Sequence, residues 1–444
     1  MLSEALEKGC DILSRIGDHI PRNPSNEDLD HHIRKTQSLI RGITENDILN
    51  YSHMTDTNKL DAMRFLAQLE IITVMVKPTL HPFVTLKMVR LTILHGLSPV
   101  SPIGFVYFGS LLAKRGNIKA GHQFTLLAKA LLEKLDARDV AGEVICVATE
   151  VQFFLEPVQA ASNFFAVQGE PAAMRGGNIH WACMNRLHYC CTMFWTCSNL
   201  AVVSEMFAEA SQFMREQHHR TSLLFLLPIQ KIILTLIGSE AETLADNELL
   251  RSIQENKNPR HLMMFSFHVM YRSFLLDNNV IDEYALKYYQ FHRSSWFLFF
   301  GDAVQTFFVG LVAFQSYRET CKSIWLEKGE TCIADMKLWA KQGASWNFRH
   351  KLLLLEAEEL YSKGSFENAQ VSYMNAITLA KSHKFMNDEA LACELAAMFY
   401  LGTGNVASSL DHFRLAQEKY HKWGAFAKAD RLLAFIHITF IDID

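Results

Sequence analysis

The stretch KLLLLEAEELYSKGSFENAQVSYMNAITLAKSH, Lys351–His383, contains two apolar patterns of helical period on either side of Gly364. Apolar residues recur at intervals of three and four, which predicts two amphipathic helices joined by a turn at the glycine. Small residues stand where the helices would face each other, at Ala357 in the first helix and at Ala369 and Ala376 in the second. Small side chains let paired helices approach closely, and stacked hairpins of this kind form tetratricopeptide-like repeats.

The same order of features recurs in Ser101–Leu135 and Leu391–Tyr420, and in degenerate form elsewhere. In each copy one early position of the second helix is small or β-branched: Gly121, Ala160, Val203, Ala285, Ala369 and Ser409. In the degenerate copies we expect further residues to pack between the helices: Ala148, Phe164, Cys191, Ser198, Phe207, Ser273 and Tyr289. The steps are about 40 residues or twice that, against about 34 for the usual tetratricopeptide. We therefore predict an all-α chain folded as an α-α superhelix, a tetratricopeptide-like solenoid.

Composition agrees with long packed helices. The chain has 444 residues, of which 49% are hydrophobic and 20% charged, and it contains only 10 prolines and 21 glycines. Its net charge of −4 excludes a strongly basic protein, so no nucleic acid or anionic membrane surface is expected as a partner. We divide the chain into N-terminal helices over 1–80, degenerate repeats over 81–345, and C-terminal repeats with a capping helix over 346–444.

Two apolar stretches are long enough to suggest membrane spans. Trp296–Phe314 carries Asp302 and Gln305 in its middle, and Leu223–Ile237 carries Pro228 and Lys231. Charges inside a bilayer are costly, so both stretches are predicted to be buried helices and no membrane span is expected. Nine scattered cysteines indicate reduced thiols, and the acidic N-terminal helix lacks the layout of a signal peptide. These features predict a cytoplasmic location.

The stretch HWACMNRLHYCC, His180–Cys191, contains two H-x-x-C pairs that suggest a metal or redox site. Its histidines and first and last cysteines share a broad helical face, but they extend over about 16 Å of helix. One zinc ion needs its ligands within about 2.0–2.3 Å, so a single helix cannot supply all four. Core packing of the cysteines is favoured, and the alternative is one pair acting with ligands from elsewhere.

No nucleotide-binding, metalloprotease, hydrolase or protein-kinase motif occurs in the sequence. The chain is therefore predicted not to be an enzyme, and no catalytic, cofactor-binding or metal residue and no cofactor is assigned. His218–Arg220 is predicted to be a solvated loop, and the acids of LEAEELY, Leu355–Tyr361, are predicted to lie on exposed faces. Core packing is favoured over a ligand pocket for one aromatic cluster: Tyr288, Tyr289, Phe291, Trp296, Phe297, Phe299 and Phe300.

Several segments resemble the helical-repeat region of very large multidomain signalling proteins: Met54–Leu69, His81–Ala113, Leu187–Cys191, Trp346–Gly404 and Lys419–Leu433. Those proteins join a serine/threonine kinase-like domain, a STAND-type AAA ATPase, a tetratricopeptide-like array, a GAF domain and a histidine kinase or cyclase. The motif positions of their catalytic domains do not occur in this sequence. The resemblance therefore implies a regulatory and interaction array without the family's activities, and it supports core packing of the cysteines at Leu187–Cys191.

Four functional hypotheses follow. The first is a non-enzymatic scaffold for protein–protein interaction in signal transduction, with a kinase or ATPase component as its partner. The second is a small-molecule-sensing module, with the ligand enclosed in the aromatic centre at Phe265–Phe314. The third is an enzyme with an unrecognised site, which is disfavoured because no nucleophile–base pair or metal constellation stands out. The fourth is a fragment of a larger signalling kinase or ATPase. The sequence leaves the oligomeric state and the binding face open.

Overall fold

The computed structural model describes residues 2–239, 245–276, 281–292 and 299–440. These four segments are helical almost throughout and contain no strand; one isolated bridge joins His53 to Leu97. The all-α prediction is confirmed, and successive antiparallel helices stack as hairpins along the chain.

The helices of the first half include a short 3-10 turn, Pro78–Leu80, and a π-helical turn, Phe165–Gly169. The first seven α-helices are α1 Leu2–Arg15, α2 Asn26–Ile40, α3 Glu45–Leu49, α4 Thr57–Val76, α5 His81–His95, α6 Ser101–Lys114 and α7 Ile118–Leu135. Six more complete the described segment that ends at residue 239: α8 Arg138–Gln152, α9 Val158–Ala161, α10 Glu170–Arg175, α11 Ile179–Thr196, α12 Leu200–Glu216 and α13 Arg220–Ile237.

The second half contains longer and more regular helices. The first five are α14 Asp246–Asn256, α15 Pro259–Leu276, α16 Ile281–His292, α17 Phe300–Thr320 and α18 Ser323–Gln342. The last five are α19 Ser345–Ser362, α20 Phe366–Ser382, α21 Met386–Gly402, α22 Val406–Trp423 and α23 Phe426–Thr439. Most pairs of consecutive helices are joined by connections of two to four residues, which keeps neighbours antiparallel.

The α6–α7 hairpin shows why small residues are needed. A Cβ atom built on Gly109 would lie 2.5 Å from the carbonyl oxygen of Gly121, and one built on Gly121 would lie 2.4 Å from that of Gly109. The backbones therefore touch at this crossing, and any side chain would push them apart. Gly116 turns the chain between the helices with a φ of +90°, a conformation that L-residues rarely adopt.

The two C-terminal hairpins repeat this arrangement with alanine and serine. Ala357 and Ala369 are fully buried between α19 and α20. Ser409 of α22 is also fully buried and donates a hydrogen bond to the carbonyl oxygen of Ala397 in α21 at 2.9 Å. The predicted repeat positions are confirmed in these hairpins, because each small residue lies at a helix crossing.

The prediction for the helix after α8 was wrong by one residue. Ala160 is exposed and Phe164 is half-buried, whereas Ala161 and Phe165 are fully buried. The physical reason is that Val158 is buried at the start of α9, which places position 161, one turn later, on the core side.

The other degenerate copies agree in part. Val203 and Phe207 of α12 are fully buried, as are Ser273 of α15 and Ala285 of α16, but Ser198 is exposed. The side chain of Tyr289 lies outside the described residues, so its predicted packing is not tested.

The array folds back on itself through the side chain of Asn347, which is fully buried at the start of α19. Its Nδ2 donates to the carbonyl oxygens of Phe153 and Glu156 at 2.6 and 2.7 Å. Its Oδ1 accepts from the backbone N–H of Val158 at 3.0 Å. One amide thus satisfies three backbone groups of the α8–α9 connection, about 190 residues earlier in the chain.

Two more contacts join the C-terminal repeats to the middle of the chain. Asn387 of α21 donates to the carbonyl oxygen of Trp195 at 3.2 Å, and the indole of Trp423 donates to that of Cys197 at 3.1 Å. The C-terminal repeats therefore pack across the middle of the chain. The main hydrophobic core is continuous from Leu6 to Phe440. The division of the chain into three parts at residues 80 and 345 remains a prediction.

Of the two long apolar stretches, the first lies largely in α17, whose residues from Phe300 to Phe314 are all buried except Gly301. Asp302 there pairs with Lys114 of α6 at 3.0 Å. The second stretch lies in α13, Arg220–Ile237, which is long and apolar enough to cross a membrane by length and composition alone. Within it, Lys231 pairs with Asp246 at 2.9 Å.

We predict that Gly109→Ala lowers the free energy of unfolding by about 1–3 kcal/mol, because the new methyl group overlaps the Gly121 carbonyl. Gly301→Ala is the matched control, since its nearest atom is 3.5 Å away, and it should cost nothing. Urea unfolding followed by circular dichroism measures both. Equal stability of the two variants would contradict the close approach.

We also predict that Asn347→Ala destabilises the protein by roughly 3 kcal/mol or more, because two carbonyl groups and one N–H lose their partner. Asn368→Ala removes an exposed asparagine whose amide donates only to Ser365 Oγ, and its expected loss is below about 0.5 kcal/mol. Thermal unfolding of both variants tests this, and a small loss in Asn347→Ala would show that the array does not depend on this connection.

Candidate functional site

A cavity of about 170 Å³ lies where α11, α13, α15 and the start of α17 meet, and we call it the central cavity. Its aromatic lining is Trp195, Phe225, Phe267, Phe299 and Phe300. Its polar lining is Glu150, His188, Thr192, Arg260, His268, Asp302 and Gln305. A smaller side cavity of about 80 Å³ shares five lining residues with it, which makes the two neighbours: Met184, His188, Phe225, Arg260 and Phe299.

One side of the central cavity is a stripe along α15. The residues are Arg260, Met263, Met264, Phe267 and His268. Their spacing of three and four residues puts them on one helical face, over about 12 Å of helix. The stripe has a cation at one end, an imidazole at the other, and thioether and aromatic groups between them.

Arg260 is the cation of this stripe. Burial lowers the pKa of its guanidinium, and Asp302 and Tyr107 act against that shift. An arginine remains protonated at any physiological pH. In the described part of the chain no carboxylate lies at ion-pair distance from the guanidinium; it packs with its carbon 5.9 Å from the centre of the Phe299 ring.

His268 is the imidazole at the other end. It is 2% exposed, and neither ring nitrogen has a well-formed hydrogen bond within the described residues. Burial lowers the pKa of His268 to about 3, and the backbone at Met264 opposes the shift. The ring is therefore neutral, and it offers one donor and one acceptor.

The two carboxylates of the central cavity already have partners. Glu150 Oε1 lies 2.6 Å from Nδ1 of His188, and Glu150 Oε2 accepts from the backbone N–H of Phe300 at 2.7 Å. Asp302 pairs with Lys114, as described above. These contacts join helices of distant repeats, and they leave Arg260 as the cavity charge without a direct counter-charge among the described residues.

The H-x-x-C histidines do not converge with their cysteines. Nδ1 of His180 lies 3.0 Å from Nε2 of His219, whereas His188 binds Glu150. Cys183 is fully buried, and burial raises the pKa of its thiol to about 11. No group of three or more potential metal ligands occurs in the described segments. Core packing of the cysteines remains the favoured interpretation of this helix. Cys191 differs from Cys183, because it is only half-buried and lines the central cavity.

The two predictions of solvated polar groups hold only in part: His218 and Arg220 are exposed, as predicted, but His219 and Glu358 are not. His219 is half-buried against His180, because the turn before α13 packs on the start of α11. Glu358 is buried, pairs with Arg318 at 2.7 Å and accepts from the Tyr373 hydroxyl at 2.5 Å. Both errors arose because the partner comes from another helix of the array.

The structure describes the side chains of three of the seven residues in the predicted aromatic cluster. Tyr288 is buried and donates to Gln305 at 2.6 Å, which agrees with packing, whereas Phe299 and Phe300 line the central cavity. The side chains of Tyr289, Phe291, Trp296 and Phe297 lie outside the described residues. Sequence reasoning missed the polar residues Arg260 and His268; the available signal was polar residues on one face of an apolar helix.

No protein-family model and no curated protein matches this chain. Among solved structures it is similar to a crystal structure of a Rap protein complexed with competence and sporulation factor. The two share 10% sequence identity, and the match covers 90% of this chain and 99% of the other at a TM-score of 0.38. The protein's own geometry defines its class: it is an all-α helical-repeat protein with a cavity between its helices.

Acid should destabilise the protein through its buried neutral histidines. Burial lowers the pKa of His268 to about 3 and that of His350 to about 4. The unfolded chain takes up these protons near pH 6.5 and the folded chain does not, so stability is lost as the pH falls below 6.5. Each histidine contributes up to about 1.4 kcal/mol per pH unit to that slope.

Urea unfolding at pH 7, 6 and 5 tests this, because His268→Gln should give a shallower slope than the wild type. His19→Gln, an exposed histidine in the turn after α1, is the matched control and should keep the wild-type slope. Equal slopes in all three proteins would mean that His268 is accessible to protons in the folded state.

Proposed function

We propose that this chain is a non-enzymatic helical-repeat scaffold that mediates protein–protein interaction in signal transduction. The observation that supports it is the exposed apolar surface of the C-terminal repeats. Half of the large exposed hydrophobic side chains in the described residues lie in this last part of the chain: Phe366, Val371, Met398, Val406, Phe426, Leu433, Phe435 and Ile438. Concentrated exposed apolar side chains mark protein-interaction surfaces.

Two of these residues occupy equivalent positions in successive hairpins. Phe366 and Val406 are the first residues of α20 and α22, the second helices of two neighbouring hairpins. Equivalent positions of stacked helical hairpins lie along one edge of an array. A partner that presents an apolar helix or strand along this edge would cover both of them at once.

The partner class and the location come from the sequence. We propose a kinase or ATPase signalling component as the partner, on the resemblance of the repeat segments, and a cytoplasmic location, on the scattered cysteines. A related possibility is that these residues form the repeat region of a larger signalling kinase or ATPase.

Affinity purification of the tagged protein from its own cells tests the scaffold. We predict recovery of a kinase, an ATPase or a response protein at near-stoichiometric level, and loss of at least nine-tenths of it in the double variant Val371→Asp/Ile438→Asp. Those side chains are 60% and 74% exposed, so the changes should not unfold the protein. Val202→Asp is the control, because it places the same charge on an exposed valine of α12.

Recovery of the bare chain alone would contradict the scaffold. Peptides of adjoining kinase or ATPase domains in the same polypeptide would instead identify the chain as part of a larger enzyme. Recovery that the double variant leaves unchanged would place the interaction surface away from the C-terminal repeats.

A second function, binding of a small molecule as a sensor, is favoured by the central cavity. Cavities lined by aromatic side chains with a few convergent polar groups are the usual form of small-molecule sites. The site lies within and beside the aromatic centre at Phe265–Phe314, where a ligand would contact helices from three different hairpins.

A further inference from the structure

We propose that the central cavity binds a small aromatic carboxylic acid that carries a second polar group at the end opposite its carboxylate. The inference rests on the second proposed function and names its ligand class. Arg260 would hold the carboxylate, His268 would bind the distal polar group, and the aromatic ring would lie between them.

The guanidinium of Arg260 favours an anionic ligand. Arg260 lines both the central and the side cavity, and no described carboxylate lies at ion-pair distance from it. The acids Glu150 and Asp302 are held by other groups. A guanidinium fork matches a carboxylate with two parallel hydrogen bonds, so a bound carboxylate would supply the counter-charge that the site lacks.

The distal polar group is inferred from His268. The ring is 2% exposed, and its polar neighbour among the described residues is the backbone at Met264, with which it forms no well-aligned hydrogen bond. Burial of an imidazole that is not fully hydrogen-bonded is costly. A ligand hydroxyl can donate to the acceptor nitrogen of the neutral ring. Gln305 lines the same cavity, but its carbonyl oxygen already accepts from Tyr288 at 2.6 Å.

The body of the ligand is inferred from the space between these two ends. Met264 and Phe267 occupy the middle of the α15 stripe, with Trp195 and Phe299 among the other lining residues. Arg260 and His268 are eight residues apart, or about 12 Å along the helix, and the arginine side chain spans part of that distance. A cavity near 150 Å³ accommodates a benzene ring, so a cavity of about 170 Å³ takes one ring with a short arm.

The test compares three probes by isothermal titration calorimetry with the full chain: 4-hydroxyphenylacetate, phenylacetate and 2-(4-hydroxyphenyl)ethanol. The first has both polar groups, the second lacks the distal hydroxyl, and the third replaces the carboxylate by a neutral alcohol. We expect the first probe to bind at least tenfold more tightly than either of the others. This comparison needs no variant, so it does not depend on the folding of a mutant.

Variants then assign the two ends. Arg260→Gln should weaken 4-hydroxyphenylacetate at least tenfold and leave the neutral alcohol unchanged, and Arg260→Lys, which keeps the charge, should retain part of the affinity. His268→Leu should abolish the preference for the hydroxylated acid over phenylacetate. Arg251→Gln, at an exposed arginine of α14, is the matched control and should bind as the wild type does.

The outcomes distinguish failure of the proposed ligand class from failure of the sensing function. Binding of the alcohol as tight as that of the acid, with no effect of Arg260→Gln, would overturn the carboxylate assignment and leave a ligand cavity. Equal binding of the two acids would overturn the role of His268. Binding of none of the three probes at millimolar concentration overturns this ligand class, and a cavity that also fails to take up benzene or indole would remove the sensing function itself.

Discussion

The buried amide of Asn347 holds the two halves of the array together. Its three hydrogen bonds reach the backbone around Phe153 and Val158, in the connection after α8, where the chain would otherwise leave polar groups without partners. The side chain cannot be shifted without losing several of these bonds at once. Because α17 packs against α19, this connection also determines where Phe300 meets Glu150, and hence where the wall of the central cavity lies.

A stack of helical hairpins ordinarily offers a concave face to solvent. Here the C-terminal repeats pack across the middle repeats, and the central cavity lies among the helices of the middle repeats themselves. This packing of distant repeats has an electrostatic consequence. Charges brought inside must find partners, as Asp302 does with Lys114 and Glu358 does with Arg318. Arg260 differs from them, because no carboxylate of the described chain lies at ion-pair distance from it and the Phe299 ring packs beside it.

The central cavity was only partly predictable. The richness of the Phe265–Phe314 region in aromatic residues indicated a ligand pocket as an alternative, and Phe299 and Phe300 do line one. The sequence could not show that Glu150, from another hairpin, closes the same cavity. The histidines of the H-x-x-C pairs show the same limit, since the partners of His180 and His188 come from other helices.

The sequence by itself determined the helices, the glycine turns and the small residues at hairpin crossings. These features are local: helical period, the positive φ of Gly364 and the close approach at Gly109 each depend on residues within about 20 positions. Tertiary structure alone decided the closure of the array, the phase of the irregular helix at Ala161 and the partners of the buried charges. The physical reason is that these depend on hydrogen bonds and packing between different helices, such as Asn347 with Phe153 and Arg318 with Glu358, which no periodicity within one helix encodes.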